Sequence, residues 1–210
     1  MRQPSIVIAD YGVGNIDSVW NAVATLGYRK VALSCVPEVM NSADAIILPG
    51  VGAFAECVHN LKQRHLDDIL AEAVLHRRKP LLGICVGMQL LASHSEEGGR
   101  HEGLGWIPGV VRRLQLPAGF PVPHVGWNDI RPVRREPLFH TLARAPDFYF
   151  DHSYNFQCEP GHVLAYCDYG IEVVAAVQRD NIFGVQFHPE KSQNNGLKLF
   201  RSFFNAVAQC

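Results

Sequence analysis

Apolar and polar positions follow two different rhythms along this chain. In the first half, short apolar runs at Ser5–Ala9, Val31–Cys35, Ala45–Leu48 and Pro80–Ile84 read as strands. Stripes at helical spacing separate them. Ile16, Val19, Trp20, Val23 and Leu26 define a helix over Ile16–Leu26, with Asn15 as its N-cap and Asp17 favourable in the first turn. Phe54, Val58, Leu61, Leu66, Ile69, Leu70, Ala73 and Val74 define a second helix. A third is expected from about Val86 to Ala92. Unbroken apolar strands alternating with helices predict a parallel sheet with helices on its faces.

The second half carries shorter strands: Val110–Leu114, Val125–Ile130, Asp147–Phe150, His162–Cys167, Glu172–Gln178 and Ile182–Phe187. Turn residues punctuate them, as at Arg179-Asp180-Asn181, which predicts an antiparallel extension of the same sheet. Leu197, Phe200, Phe204 and Val207 mark a closing helix. No repeat, low-complexity segment or linker interrupts the pattern. The expectation is an α/β fold, one domain over residues 1–210, with a mostly parallel central sheet, helices on both faces and an antiparallel extension.

Composition narrows the function classes. A chain of 210 residues can bury a substantial core. Its net charge is −1 and it has no Lys/Arg block, which argues against a nucleic-acid partner. No apolar stretch approaches transmembrane length, and Met1-Arg2-Gln3-Pro4 starts no signal-peptide pattern. A cytoplasmic protein without a membrane role is expected. The six cysteines (Cys35, Cys57, Cys85, Cys158, Cys167 and Cys210) show neither C-x-x-C nor zinc-ligand spacing and read as reduced thiols. His59, His65, His94, His101 and His140 also lack metal spacing and read as surface groups. Neither metal nor cofactor is expected. Gly12-Val13-Gly14 follows a strand, but Asp17 stands where a dinucleotide fingerprint needs glycine.

One constellation carries chemistry. Gly83-Ile84-Cys85-Val86-Gly87-Met88-Gln89 places a thiol between glycines at a strand-to-helix turn. There the glycines relieve crowding and a helix N-terminus favours thiolate. Ile182–Phe187 ends in His188-Pro189-Glu190, and Pro189 pushes His188 toward extended backbone, so that Glu190 projects to the same side. Cys85, His188 and Glu190 thus read as nucleophile, base and orienter. Gly50, Val51 and Gly52 offer backbone N–H groups for an oxyanion, and Gln89 lies one helical turn past the thiol. Asp151-His152-Ser153 contains triad residue types but cannot form a relay, because neighbours on a strand face opposite ways. Arg112-Arg113 and Arg134-Arg135 read as solvated faces.

The Cys85 and His188 motifs resemble those of the class I, triad-type glutamine amidotransferases. Within that class, Asp10-Tyr11-Gly12-Val13-Gly14-Asn15, Pro123-His124-Val125-Gly126-Trp127-Asn128, His152-Ser153-Tyr154 and Gln186-Phe187-His188-Pro189-Glu190-Lys191-Ser192 are similar to the glutaminase subunits of imidazole glycerol phosphate synthases. The resemblance covers nearly the whole chain and implies glutamine as substrate, with a glutamyl thioester on Cys85. Gly52, Gln89, Glu97 and the main chain of His152, Ser153 and Tyr154 would hold it. Asn15, Trp127 and Lys191 would line the interface with a (β/α)₈-barrel cyclase. There ammonia would meet a phosphoribulosyl-formimino nucleotide in histidine biosynthesis, giving imidazole glycerol phosphate and AICAR. A barrel takes about 250 residues, so the cyclase is expected as a separate chain in a heterodimer. Two departures stand out: Val86 where Leu is more usual, and Asp151 where an apolar residue is usual. Paralogues that supply ammonia for sugar amidation in surface-polysaccharide synthesis are an alternative. A stand-alone thiol hydrolase and a non-catalytic binding subunit are two more.

Overall fold

The strands that read as unbroken apolar runs are the ones covered on both faces. The computed structural model describes residues 3–208, which leaves Met1, Arg2, Gln209 and Cys210 outside it. In chain order it contains β1 (Ile6–Ala9), α1 (Ile16–Thr25), β2 (Val31–Ser34), α2 (Pro37–Ser42), β3 (Ala45–Gly50), α3 (Phe54–Gln63) and α4 (Leu66–Ala71). β4 (Leu81–Cys85), α5 (Val86–Gln89), β5 (His94–Ser95), β6 (His101–Glu102) and β7 (Gly109–Arg113) follow. The remainder is β8 (His124–Pro132), β9 (Asp147–His152), β10 (Tyr154–Cys158), β11 (Val163–Asp168), β12 (Glu172–Arg179), β13 (Ile182–Val185) and α6 (Gln193–Val207).

A nine-stranded sheet has the order β2-β1-β3-β4-β13-β12-β11-β8-β9. Pairing is parallel from β2 to β13 and antiparallel from β13 to β9. Every residue of β1, β3, β4 and β13 is buried, as strands between two helical layers must be. By contrast, β8 and β9 alternate between covered and exposed positions, so that one face meets solvent. The helices form two packed groups: α1 against α6, and α4 against α2 and α3. Phe148, Phe187, Phe200, Phe203 and Phe204 fill the core beneath α6 and are fully buried.

Four sequence expectations change. A separate four-stranded sheet, β10-β7-β5-β6, takes the Val110–Leu114 strand away from the expected extension. The chain passes from one sheet to the other at Ser153, between β9 and β10. The second helix is broken at His65, whose φ of 50° is left-handed, and it ends in a π-helical turn over Glu72–His76. The gap from Leu61 to Leu66 is out of phase with the 3–4 spacing around it, which is the break written in sequence. The helix expected to Ala92 stops at Gln89, because the Leu90, Leu91 and Ala92 carbonyls accept from Leu104, Ile107 and Gly105 instead of from a next helical turn. Asn15 occupies the N-cap position of α1, but its side chain makes no capping hydrogen bond.

Candidate active site

Cys85 ends β4 with φ 56° and ψ −113°, a backbone state that costs a non-glycine residue energy and persists only when its surroundings enforce it. Parallel pairing provides that on both sides, with Cys85 opposite Gly50 of β3 and Ile84 opposite Val185 of β13. The glycines permit a very close approach of α5 to the sheet. A Cβ on Gly87 would lie 1.9 Å from the Leu48 carbonyl oxygen, and one on Gly83 would lie 2.6 Å from that of Gly87. Because α5 is a single turn, it is this packing that fixes the thiol's position.

His188 follows β13 and is buried, with its N–H donating to the Tyr149 carbonyl at 2.8 Å. Its Nδ1 lies 2.7 Å from Glu190 Oε1, and it lines the same cavity as Cys85. The carboxylate only accepts, so Nδ1 carries a proton and donates to it. Burial disfavours a charged ring here, but the bonds with Cys85 and Glu190 outweigh it and raise the His188 pKa to about 10. His188 has the expected extended backbone, whereas Glu190 reaches the ring through a 3₁₀ turn over Pro189–Lys191. Ser192 ties that turn down, its Oγ donating to the His188 carbonyl at 2.6 Å and accepting from Tyr149 N–H at 3.0 Å. A Cβ on Gly196 of α6 would lie 1.8 Å from the Pro189 carbonyl oxygen, so the helix start also locks the turn.

Above the thiol lies a cavity of about 410 Å³. Val51, Gly52, Cys85, Val86, Gln89 and Glu97 line one side, and Asp151, His152, Ser153, Tyr154, His188 and Lys191 the other, with Pro123 at its edge. All of the residues assigned to substrate binding from sequence therefore meet here. Gln89 Nε2 donates to the Tyr154 carbonyl at 3.2 Å and to Gln186 Oε1 at 3.0 Å. Glu97 accepts from the Phe54 N–H at 2.9 Å, which anchors the start of α3 next to Gly52. Asp151 is exposed, and its carbonyl, not its carboxylate, faces the Cys85 sulfur at 3.9 Å.

The Gly50–Gly52 loop is held from behind. Tyr11 donates to the Pro49 carbonyl at 2.6 Å and Cys57 to the Val51 carbonyl at 3.5 Å. Burial, then the neighbouring Cys57, pushes the Tyr11 phenol well above its usual pKa, so it remains a donor. A Cβ on Gly14 would lie 3.2 Å from Pro49 Cγ, so the Asp10–Asn15 segment buttresses the loop. Glu190 and Gly50 lie outside the cavity wall, behind the residues they support. Asn15 borders a separate shallow depression with Asp10 and Leu33. Trp127 is 46% exposed on β8, edge-on to Tyr149, over whose ring the Lys191 ammonium also lies.

Sequence reasoning singled out neither Gln186 nor His124 for the site. Gln186 is fully buried and its Nε2 lies 3.7 Å from the Cys85 sulfur. An amide inside the otherwise apolar run Ile182–Phe187 was the available signal. His124 is buried against His152, a partner that only strand register brings within reach. Arg135 is no solvated face: it donates to the Phe139, Leu142 and Ala143 carbonyls. Arg112 pairs at the surface with Glu96. Cys35, Cys57, Cys85, Cys158 and Cys167 are free thiols, and among the described residues no group of three or more His, Cys, Asp or Glu side chains could hold a metal.

A thiol that shares a cavity wall with a carboxylate-bonded imidazole can attack an acyl carbon and have its leaving group protonated. Comparison with known proteins agrees with that chemistry. Residues 7–207 match the family model described as glutamine amidotransferase class-I. The chain is 49% identical over 202 residues to "Imidazole glycerol phosphate synthase subunit HisH 2" of Vibrio vulnificus, covering 96% of this chain and 94% of that one. It is 44% identical to the HisH subunit of Leptospira interrogans, covering 94% and 98%. A solved glutamine amidotransferase superposes with TM-score 0.74 at 20% identity over 97% of this chain and 99% of that one, and PurLQS from Thermotoga maritima with 0.73 at 19% over 98% and 100%. At that identity the solved structures speak for the fold. The chain belongs to the class I glutamine amidotransferase family and, within it, to the HisH subunits of imidazole glycerol phosphate synthase.

Proposed function

We propose that this chain is the glutaminase subunit of an imidazole glycerol phosphate synthase, acting in the cytoplasm as one domain beside a separate (β/α)₈-barrel cyclase. The observation that carries the reading is the Cys85 thiol on its left-handed turn, sharing with a His188 that Glu190 orients the wall of a cavity large enough for an amino acid. His188, its pKa raised to about 10, holds the proton at neutral pH, and the Cys85 thiolate attacks the side-chain amide carbon of glutamine. The amide oxygen takes up the negative charge, and backbone N–H groups of the Gly50–Gly52 loop and of Val86 stabilise it. The C–N bond then breaks as His188 returns the proton to nitrogen, leaving ammonia and a glutamyl thioester. Water, deprotonated by His188, attacks the thioester carbon and releases glutamate and the thiol.

Gln89 and Glu97 meet the polar ends of the substrate, and the Ser153–Tyr154 main chain lies along it. Ammonia is the product of use, and the barrel subunit receives it. Val125 and Trp127, exposed beside the cavity edge at Pro123, with Lys191 at its rim, support a docking face there. The test is glutamine turnover by the pure chain with and without the cyclase and its nucleotide acceptor. A large increase with both present is expected. Full activity alone, unchanged by either addition, overturns the coupling.

A further inference from the structure

His152 and His124 face each other across β8 and β9, opposite in register, with His152 Nε2 3.0 Å from His124 Nδ1. His152 Nδ1 lies 2.8 Å from the Tyr154 carbonyl, which can only accept, so that nitrogen carries the proton. In a neutral ring Nε2 is then an acceptor, and His124 Nδ1 must donate to it. His124 Nε2 is left as an acceptor facing the Asn128 amide nitrogen at 3.4 Å, and the same amide donates to the Asp168 carbonyl at 3.0 Å. Every proton in this row points the same way, from strand β8 toward the cavity. Burial keeps both rings neutral, with His124 lowered to about 4 and His152 to about 3.

The row ends at the cavity wall. The Tyr154 carbonyl that receives the His152 proton also accepts from Gln89, which in turn donates to Gln186, whose amide reaches the sulfur. The geometry points to His124 as a positioning residue: its Nδ1–H fixes the tautomer of His152, and with it the direction of the Tyr154 carbonyl and the shape of the glutamine cradle. This rests on the glutaminase reading only in naming glutamine as what the cradle holds. His124 touches neither the thiol nor the cavity, so it acts on binding and not on the reacting atoms.

Two variants separate the hydrogen bond from packing. His124→Phe keeps a ring between Phe150 and Tyr169, whose centroids are 4.7 and 3.8 Å away, but has no donor. His124→Asn loses the stack but places an amide N–H near the Nδ1 position. Assayed with the cyclase present, His124→Phe is expected to raise KM for glutamine about tenfold, with kcat within about twofold, the scale of one buried acceptor left unsatisfied. His124→Asn is expected to return KM to within about threefold of the parent. Equal KM losses in both variants, or an unchanged KM in His124→Phe, overturn the proposal. Nitrogen NMR of the intact chain decides it independently of folding of the variants and of glutamine. A proton on His152 Nδ1 with Nε2 bare is required, and the reverse tautomer contradicts it. Absence of glutamine turnover together with the required tautomer counts against the glutaminase reading alone.

Discussion

The parallel and antiparallel halves of the sheet supply different parts of the site, by different means. In β3, β4 and β13 everything is buried, and backbone crowding does the positioning: Gly83 and Gly87 let α5 approach the sheet closely, and Cys85 between them takes a φ of 56°. In β8 and β9 one face is wet, and hydrogen-bonded side chains do the positioning, through His124, His152 and Asn128. The first half makes a rigid nucleophile. The second lines the facing wall of the cavity and continues into an exposed face at Val125 and Trp127. Close packing has no intermediate setting, whereas a row of hydrogen bonds can be weakened stepwise.

Variants in the parallel half should therefore fail outright. Cys85→Ala is expected to cost roughly 10⁴-fold or more in glutamine turnover with the fold intact, and His188→Ala nearly as much, read by ammonia release and by circular dichroism. Glu190→Ala, which removes only support for the imidazole, should cost about 10²-fold. Equal losses at His188 and Glu190 would contradict the assigned roles. Gly87→Ala brings a Cβ within 1.9 Å of the Leu48 carbonyl oxygen and should destabilise the chain by about 3 kcal/mol or more, measured by denaturant unfolding.

Those parts were legible because they are local. The apolar run before Cys85, its glycines and the His-Pro-Glu segment each lie within a few residues, and the parallel half follows from unbroken apolar strands. The small second sheet was not legible, since β5 and β6 are two residues each and show no period. Nor was the end of α5, where distant N–H groups from Leu104 to Ile107 compete for its carbonyls. The His124–His152 pair depends on register between strands, which no local pattern contains.

In the antiparallel half the effects should be graded. Trp127→Ala should weaken the cyclase complex by about 2 kcal/mol, or roughly 30-fold in Kd, while glutamine turnover by the free chain and its Tm stay unchanged. A fall in Tm of several degrees would instead make Trp127 a core residue. The pH dependence of stability sharpens the contrast. Unfolded His124 and His152 take up protons below about 6.5, but folded they resist until about 4 and 3, so between these limits the unfolded state binds more protons. Stability therefore falls as pH drops, by roughly 5 °C in Tm from pH 7 to 5, and His124→Phe should flatten that slope. His188 acts with the opposite sign. Its raised pKa contributes stability in full below about 6.5 and loses it as pH rises through about 10.

The central claim is that one thiol among several is built to attack glutamine. Treating the intact chain with a glutamine-shaped electrophile and mapping the adduct by mass spectrometry tests it most directly. The account predicts one adduct per chain, on Cys85, suppressed by excess glutamine and absent in Cys85→Ala, with Cys57, Cys158 and Cys167 unmodified. Labelling of another cysteine, or labelling of Cys85 that glutamine does not suppress, would contradict it.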